Sequence, residues 1–139
     1  MTRFVVDASV ALCWYFPKQK TSYTEAVFDR LARGDEALVP AIWPLEIVNG
    51  LIVAARQKAI SLVQLETFIA DLKDLPVSID LSGVGRSYSS IVRLCRQHQL
   101  SSYDAAYLDL ALLEGVSIAT LDKNLRAAAS NAGVELLRG

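Results

Sequence analysis

Four acidic residues stand beside segments that have the pattern of buried strands or of helix starts. Asp7 directly follows the apolar run RFVV, and Glu46 lies early in the helix predicted within PAIWPLEIVNGL. Asp104 lies near the start of the helix predicted from SSYDAAYLDL, and Asp122 follows the apolar run VSIAT. Oxygen ligands without His or Cys are the donor set that Mg²⁺ and Mn²⁺ prefer. The four acids are therefore candidate metal ligands and catalytic residues, provided that the fold brings them together.

The segments between these acids alternate between strand and helix. Short, apolar, β-branched runs predict strands at 3–6, 37–40, 76–79, 116–120 and 134–137. Apolar residues at three- and four-residue spacing predict helices at 22–34, 44–58, 61–74, 83–98, 102–114 and 123–131. This alternation predicts an α/β fold, with a parallel sheet of about five strands flanked by helices on both faces. Right-handed crossovers place the carboxyl ends of all strands at one edge, where ligands bind.

Each acid also has an interpretation that involves no ligand. Asp104 can close a capping box with Ser101, and Asp122 can cap the last helix. Glu46, close to Pro44, can be a surface acid favoured by the helix dipole. Taken together, however, carboxylates crowded at one edge repel one another unless a cation compensates their charge. We therefore expect Mg²⁺ or Mn²⁺ at this edge.

Three smaller polar residues lie beside the acids in sequence. Ser9 is two residues after Asp7, Thr120 is two residues before Asp122, and Asn49 is one helical turn beyond Glu46. We expect Ser9, Asn49 and Thr120 to orient the carboxylates or the water around them. The alternative for each is an ordinary cap or a local backbone hydrogen bond.

The sequence lacks the residues that other common catalytic mechanisms require. The only histidine, His98, lies late in a predicted helix far from the acidic motifs, so catalysis by a Ser/His/Asp or Cys/His set is not supported. No glycine-rich phosphate-binding loop is present. Asp109 follows Asp104 by five residues and is rotated from it by roughly 140° around a helix, so we place it outside the site.

The bulk composition predicts one globular domain over residues 1–139. The chain has 53% hydrophobic residues, 21% charged residues and a net charge of −1, which excludes a strongly basic nucleic-acid-binding protein. Cys13 and Cys95 are far apart and are expected to be reduced thiols.

Asp7 interrupts the first apolar stretch, which argues against a signal peptide, and no 18-residue apolar run predicts a membrane span. A cytoplasmic protein is expected.

Four motifs together resemble a known family. VVDASVAL, PLEIVNGL, SSYDAAYLDLA and ATLDKNLRAAA occur in the order and spacing of a PIN domain, and the chain resembles a VapC-type toxin from Arg3 onwards. The resemblance implies a metal-dependent endoribonuclease that cuts structured RNA such as tRNA, forms a homodimer and is inhibited by a cognate VapB antitoxin. It also implies that Asp7, Glu46, Asp104 and Asp122 hold Mg²⁺ or Mn²⁺. Similar sequences often have Lys where this chain has Cys13, so one basic contact with the substrate is expected to be missing.

The residues themselves support hydrolysis of a phosphodiester by a metal-activated water. RNA requires cations, and three arginines on the helix predicted at 83–98 supply a partial stripe or a solvated face: Arg86, Arg93 and Arg96.

The aromatics of CWYF and Trp43 pack in the core or form a groove for a partner, and the apolar surplus in 45–69 suggests an antitoxin or dimer interface. Two other function classes remain open: a non-catalytic PIN-like protein-binding module and a receiver-like phosphoacceptor domain.

Overall fold

A computed structural model of the protein describes residues 2–138 and contains one parallel sheet. Its strands are β1 (Arg3–Val6), β2 (Glu36–Pro40), β3 (Val77–Asp80) and β4 (Ser117–Ala119). They lie in the order β3-β2-β1-β4, so β1 has a neighbour on each side. Phe4, Val5 and Val6 of β1 are fully buried, as a strand covered on both faces requires.

Helices cover the two faces of the sheet. They are α1 (Ala8–Cys13), α2 (Ser22–Ala32), α3 (Trp43–Arg56), α4 (Leu62–Asp74), α5 (Val92–His98), α6 (Ser102–Glu114) and α7 (Lys123–Asn131). Helix α6 lies against β1, β2 and β4 with α5 and α7 beside it, whereas α2 lies against β2 and packs with α1. The predicted α/β fold, a parallel sheet flanked by helices, is confirmed. Within residues 2–138, no helix is both long enough and apolar enough to cross a membrane.

The fifth predicted strand, 134–137, is reduced to a single bridge. Ile118 of β4 accepts a hydrogen bond from the Leu137 backbone N–H at 2.8 Å and donates one to the Glu135 carbonyl at 3.0 Å. The resulting parallel bridge between Ile118 and Leu136 is isolated. This segment follows Gly133, whose φ of +81° turns the chain after α7, and it aligns with β4 over one residue only.

The continuous helix predicted at 83–98 is wrong in its first half. Residues Ser82–Arg86 form a 3₁₀ turn and Ser87–Ile91 a π-helical turn before α5 begins. The Arg86 guanidinium causes part of this departure, because it reaches inward to Asp109 of α6 (2.8 Å) and to Asp80 at the end of β3 (3.2 Å). Arg86 is therefore not part of a solvent-facing stripe, whereas Arg93 and Arg96 are exposed on α5.

Close packing of α1 and α3 positions the start of each helix near the carboxyl edge. A Cβ atom on Gly50 of α3 would lie 2.7 Å from Cδ1 of Leu12 in α1, so the absence of a side chain permits this approach. Asp7 is the N-cap residue of α1, and Glu46 lies in the first turn of α3. The contact between the helices thus brings the segments that carry these two acids to the same end of the sheet.

Candidate metal centre at the carboxyl edge of the sheet

The centre lies where the order of the strands reverses. From β1, the chain continues to β2 and β3 on one side, while β4 adds on the other side. The crevice outside the carboxyl ends of two such strands is the usual ligand site of an open parallel sheet. Asp7 leaves β1 at this point, and its backbone N–H donates to the Ala119 carbonyl of β4 at 2.9 Å.

Two hydroxyl groups hold the Asp7 carboxylate. Its Oδ2 atom accepts hydrogen bonds from Thr120 Oγ1 at 2.7 Å and from Ser9 Oγ at 2.8 Å. Asp7 is only 5% exposed and Thr120 is fully buried. Burial raises the pKa of Asp7, the bonds from Thr120 and Ser9 oppose this rise, and the charge of Asp122 adds to it. The structure thus brings Ser9 and Thr120, two of the polar residues singled out in the sequence, into direct contact with Asp7.

Asp122 caps a helix and also lies near Asp7 at the carboxyl edge of the sheet. Its Oδ1 atom caps α7 by accepting from the Leu125 backbone N–H at 2.8 Å, as the capping interpretation predicts. Its own backbone N–H donates to Thr120 Oγ1 at 3.0 Å. The Thr120 hydroxyl therefore links Asp122 to Asp7 across the edge.

Asp104 lies in the first turn of α6, the helix that packs against β1, β2 and β4. The Ser101 hydroxyl caps α6 by accepting from the Asp104 backbone N–H at 3.1 Å, so this helix begins at the edge. The Asp104 carboxyl is half-buried, and its pKa is raised by burial and by the charges of Asp122 and Asp7, with Ser101 opposing. Only the Ser101 half of the predicted capping box is found within the described residues: the Asp104 backbone bonds the Ser101 hydroxyl, but the Asp104 carboxylate does not close the box.

Glu46 is bound by a residue that the sequence analysis did not identify. The Tyr107 hydroxyl donates to Glu46 Oε1 at 2.5 Å. Burial raises the pKa of Glu46, the bond from Tyr107 lowers it, and the charges of Asp7 and Asp104 raise it further. The only sequence signal for Tyr107 is its place three residues after Asp104, which puts both side chains on one face of α6.

Two other residues named in the sequence lie apart from this cluster. Asn49 is exposed, and no hydrogen bond of its side chain is recorded within the described residues, so its orienting role stays a prediction. Asp109 is buried away from the edge, where Arg86 and the Ser90 hydroxyl bind its two oxygens. Asp109 is therefore committed to holding α6 against the 82–91 segment.

The chemistry of the donor set fits a hydrated divalent cation. Across residues 2–138, no three His, Cys, Asp or Glu side chains stand close enough to form a ready-made metal cluster. The charges of these carboxylates nevertheless raise the pKa values of Asp7, Glu46 and Asp104. Asp7, Glu46 and Asp122 each accept side-chain or capping hydrogen bonds on one carboxylate oxygen, which leaves the other oxygen for a ligand. Mg²⁺ is commonly held by one or two carboxylates and several waters, so this open arrangement suits it.

Comparison with known proteins bears on the fold and the family. The family model described as PIN domain matches residues 4–131. A comparison with curated proteins finds no significant match.

Solved structures share the fold at low sequence identity. VapBC2 from Rickettsia felis, bound to a DNA fragment from its promoter, has a TM-score of 0.64 at 13% identity and covers 98% of each chain. FitAcB from Neisseria gonorrhoeae has a TM-score of 0.64 at 16% identity over 97% of this chain and 96% of its own. PAE2754 from Pyrobaculum aerophilum has a TM-score of 0.60 at 20% identity over 91% of this chain and 84% of its own.

The raised pKa values predict how the metal-free protein responds to pH. Asp7, Glu46 and Asp104 hold protons in the folded state at pH values where the unfolded chain has lost them. In chelator, the free energy of unfolding should therefore fall as pH rises from about 4 through the raised pKa values of these groups. Denaturant unfolding at a series of pH values measures this slope, and added Mn²⁺ should restore stability at neutral pH.

The variant Asp7→Asn isolates this effect. It removes one buried charge and should make the fall in stability with pH shallower, whereas Glu66→Gln, at an exposed position of α4, should keep the slope of the wild type. Equal slopes for the wild type and Asp7→Asn would contradict the role assigned to the Asp7 charge.

Proposed function

Because the chain belongs to the PIN domain family, whose model matches residues 4–131, we propose that it is a metal-dependent endoribonuclease. We further propose that it is the toxin of a type II toxin–antitoxin pair acting in the cytoplasm. The observation that supports the nuclease proposal is the geometry at the strand-order reversal, where the Thr120 hydroxyl bonds both Asp7 and the Asp122 backbone, and where Glu46 and Asp104 lie near enough for the charge of Asp7 to raise their pKa values. A non-catalytic binding module would gain nothing from keeping these charges together.

The roles of the four acids follow from their surroundings. Asp7 and Asp104 are the residues that we assign to hold Mg²⁺ or Mn²⁺ directly, with Glu46 and Asp122 completing the site directly or through water. The ion would supply positive charge to the phosphate oxygens and would acidify a bound water. Ser9 and Thr120 fix the orientation of Asp7, because both hydroxyl groups donate to its Oδ2 atom.

Glu46 is the best placed of the four to take up the proton of the attacking water. Burial raises the pKa of Glu46 above its usual value, the bond from Tyr107 opposes this rise, and the charges of Asp7 and Asp104 add to it; a raised pKa makes a carboxylate a stronger base. Its Oε1 atom is engaged by Tyr107, so Oε2 is the atom that would accept the proton. The water oxygen would bond to phosphorus as the bond from phosphorus to the leaving ribose oxygen breaks, and the leaving oxygen would take a proton from solvent water.

An RNA cleavage assay tests the nuclease proposal. Purified protein should cut a circular single-stranded RNA in the presence of Mg²⁺ or Mn²⁺, and excess chelator should abolish cleavage. Asp104→Asn should lower the rate at least about 100-fold, because it removes a charge needed in the transition state. Glu66→Gln is the matched control, and it should cleave at the rate of the wild type.

Cleavage that survives chelation, or that persists in Asp104→Asn, would contradict a metal-dependent site. The circular substrate has no free end, so its opening identifies an endonuclease. If the protein is folded and binds Mn²⁺ yet leaves a broad set of RNAs intact, the binding-module alternative is favoured.

An apolar groove on the protein supports the antitoxin partner. Its walls come from residues 15–19 after α1, which include a 3₁₀ turn (Pro17–Gln19), from α3, from the turn before α4 and from α4 itself; apolar lining residues are Tyr15, Phe16, Val53, Ile60 and Phe68. A helix of a partner can dock in such a groove through its apolar face. Trp43 is buried in the core and does not line this groove.

A pair of valine variants tests this groove as the antitoxin site. Wild-type protein should arrest growth when expressed, and co-expression of the gene product encoded directly upstream should relieve the arrest. Val53→Glu, within the groove, should stay toxic but escape neutralisation because a charge is placed in an apolar interface. Val63→Glu, at a more exposed position of α4 outside the groove, should be neutralised normally.

Either of two results would contradict this account. Neutralisation of Val53→Glu as effective as that of the wild type would exclude the groove. Equal harmlessness of the wild type and Asp104→Asn would remove the support for a toxin.

A second apolar surface supports the proposed homodimer. Exposed apolar and aromatic side chains line a pocket between the end of β2, the 82–91 turns, α5 and α6, and they include Val84, Tyr88, Val92 and Tyr103. Tyr88 is 97% exposed, although it lies beside this apolar surface. Such a patch on one protein marks an interaction site, and two copies related by a two-fold axis can cover it.

Sedimentation measurements test the dimer. Wild-type protein should sediment as a dimer, and Tyr88→Glu should shift it toward the monomer because the glutamate charge would be buried in the interface. Leu113→Glu, which changes an exposed leucine elsewhere on α6, should leave the dimer intact. A wild-type monomer at micromolar concentration, or a dimer unaffected by Tyr88→Glu, would contradict the proposal.

A further inference from the structure

Tyr107 is a buried side chain whose polar atom serves the acidic cluster. The residue is fully buried on α6, and its hydroxyl donates to Oε1 of Glu46, which lies on α3 and is 61 residues away in sequence. A phenylalanine would fill the same apolar space, so the hydroxyl is the part of Tyr107 that needs an explanation. A buried hydroxyl requires a hydrogen-bond partner, and here that partner is one of the four clustered acids.

The hydrogen bond from Tyr107 to Glu46 acts against electrostatic repulsion between carboxylates. The carboxylate of Glu46 is repelled by those of Asp7 and Asp104, and Glu46 is only half-buried. Without a restraint, its side chain can relieve this repulsion by rotating toward solvent. A short bond from a neutral donor to an ionised acceptor is a strong hydrogen bond, and its donor is fixed by the packing of α6.

Helix α6 therefore contributes two groups on one face. Asp104 is itself a member of the cluster, and Tyr107, one turn later, restrains a carboxylate from another helix. Since Oε1 of Glu46 is taken by Tyr107, the Oε2 atom is the one presented to the cation, which it would contact through the water whose proton it accepts. Because Tyr107 and Asp104 lie one turn apart on α6, the bond from Tyr107 fixes the Glu46 carboxylate relative to the Asp104 carboxylate.

We propose that Tyr107 is a positioning residue that holds Glu46 in place to bind the divalent cation. This inference rests on the proposed metal-dependent function, and it adds a residue that neither the acidic motifs nor their small polar neighbours include. Partners that orient a metal-binding side chain commonly contribute 10- to 100-fold to metal affinity.

Direct measurement of Mn²⁺ binding by electron paramagnetic resonance tests the inference without relying on activity. Tyr107→Phe should weaken Mn²⁺ binding about 10- to 100-fold. Combining it with Glu46→Gln should give no further loss beyond that of Glu46→Gln alone, because the residue through which Tyr107 acts has then been changed. In RNA cleavage, Tyr107→Phe should raise the Mn²⁺ concentration needed for half-maximal rate, and saturating Mn²⁺ should recover most of the rate.

Tyr23→Phe provides the matched control. The Tyr23 hydroxyl also makes a long-range hydrogen bond, at 2.9 Å to the Leu137 carbonyl, so the variant removes the same atom away from the cluster. It should bind Mn²⁺ with the affinity of the wild type, even if both variants lower the unfolding midpoint. The control thus separates a general loss of stability from a loss of Glu46 positioning.

Three results would overturn the inference. The first is wild-type Mn²⁺ affinity in Tyr107→Phe. The second is an undiminished further loss when this change is added to Glu46→Gln, which would mean that Tyr107 acts on the fold and not through Glu46. The third, a wild-type protein that neither binds Mn²⁺ nor cleaves RNA, would remove the proposed function as well, whereas the first two leave it standing.

Discussion

The buried carboxylate of Asp7 is the constraint on which the rest of the site depends. It is 5% exposed and lies between the ends of β1 and β4, where an ionised group without partners would be strongly destabilising. Two hydroxyl groups, from Ser9 and Thr120, converge on its Oδ2 atom. Thr120 also accepts from the Asp122 backbone, so the bonds that solvate Asp7 also set the position of the acid after β4.

Helix α6 carries the second half of this arrangement. Its N-terminus, capped by Ser101, presents Asp104 to the same edge, and Tyr107 binds Glu46 from α3. Farther along, Asp109 pairs with Arg86 and holds the 82–91 segment on the other side of the helix. One helix thus places one acid, restrains a second and uses a third for packing. A cation at the centre would offset the repulsion between these negative charges.

Local signals in the sequence predicted the exact first and last residues of some helices and missed other elements for physical reasons. Helices α6 and α7 begin and end as predicted, because their caps, Ser101 and Asp122, and the terminating Gly115 are readable from neighbours in the chain. The prediction that the four acids meet at one edge came from the parallel topology and from the helix starts that carry Glu46 and Asp104. The irregular turns at 82–91 were missed because they depend on Arg86 reaching Asp109, 23 residues away. Tyr107 was missed for the same reason, since its partner is 61 residues away and its place one turn after Asp104 does not by itself distinguish it from a core residue.

The central claim is that these four carboxylates hold one or more divalent cations at the strand-order reversal. Anomalous X-ray scattering from crystals of the protein soaked in manganese chloride tests it most directly. The account predicts a manganese peak within bonding distance of Asp7 and Asp104, with Glu46 and Asp122 around it, and the loss of that peak in Asp104→Asn crystals. A well-diffracting crystal with no manganese at this edge, or with manganese held only by other residues, would contradict it.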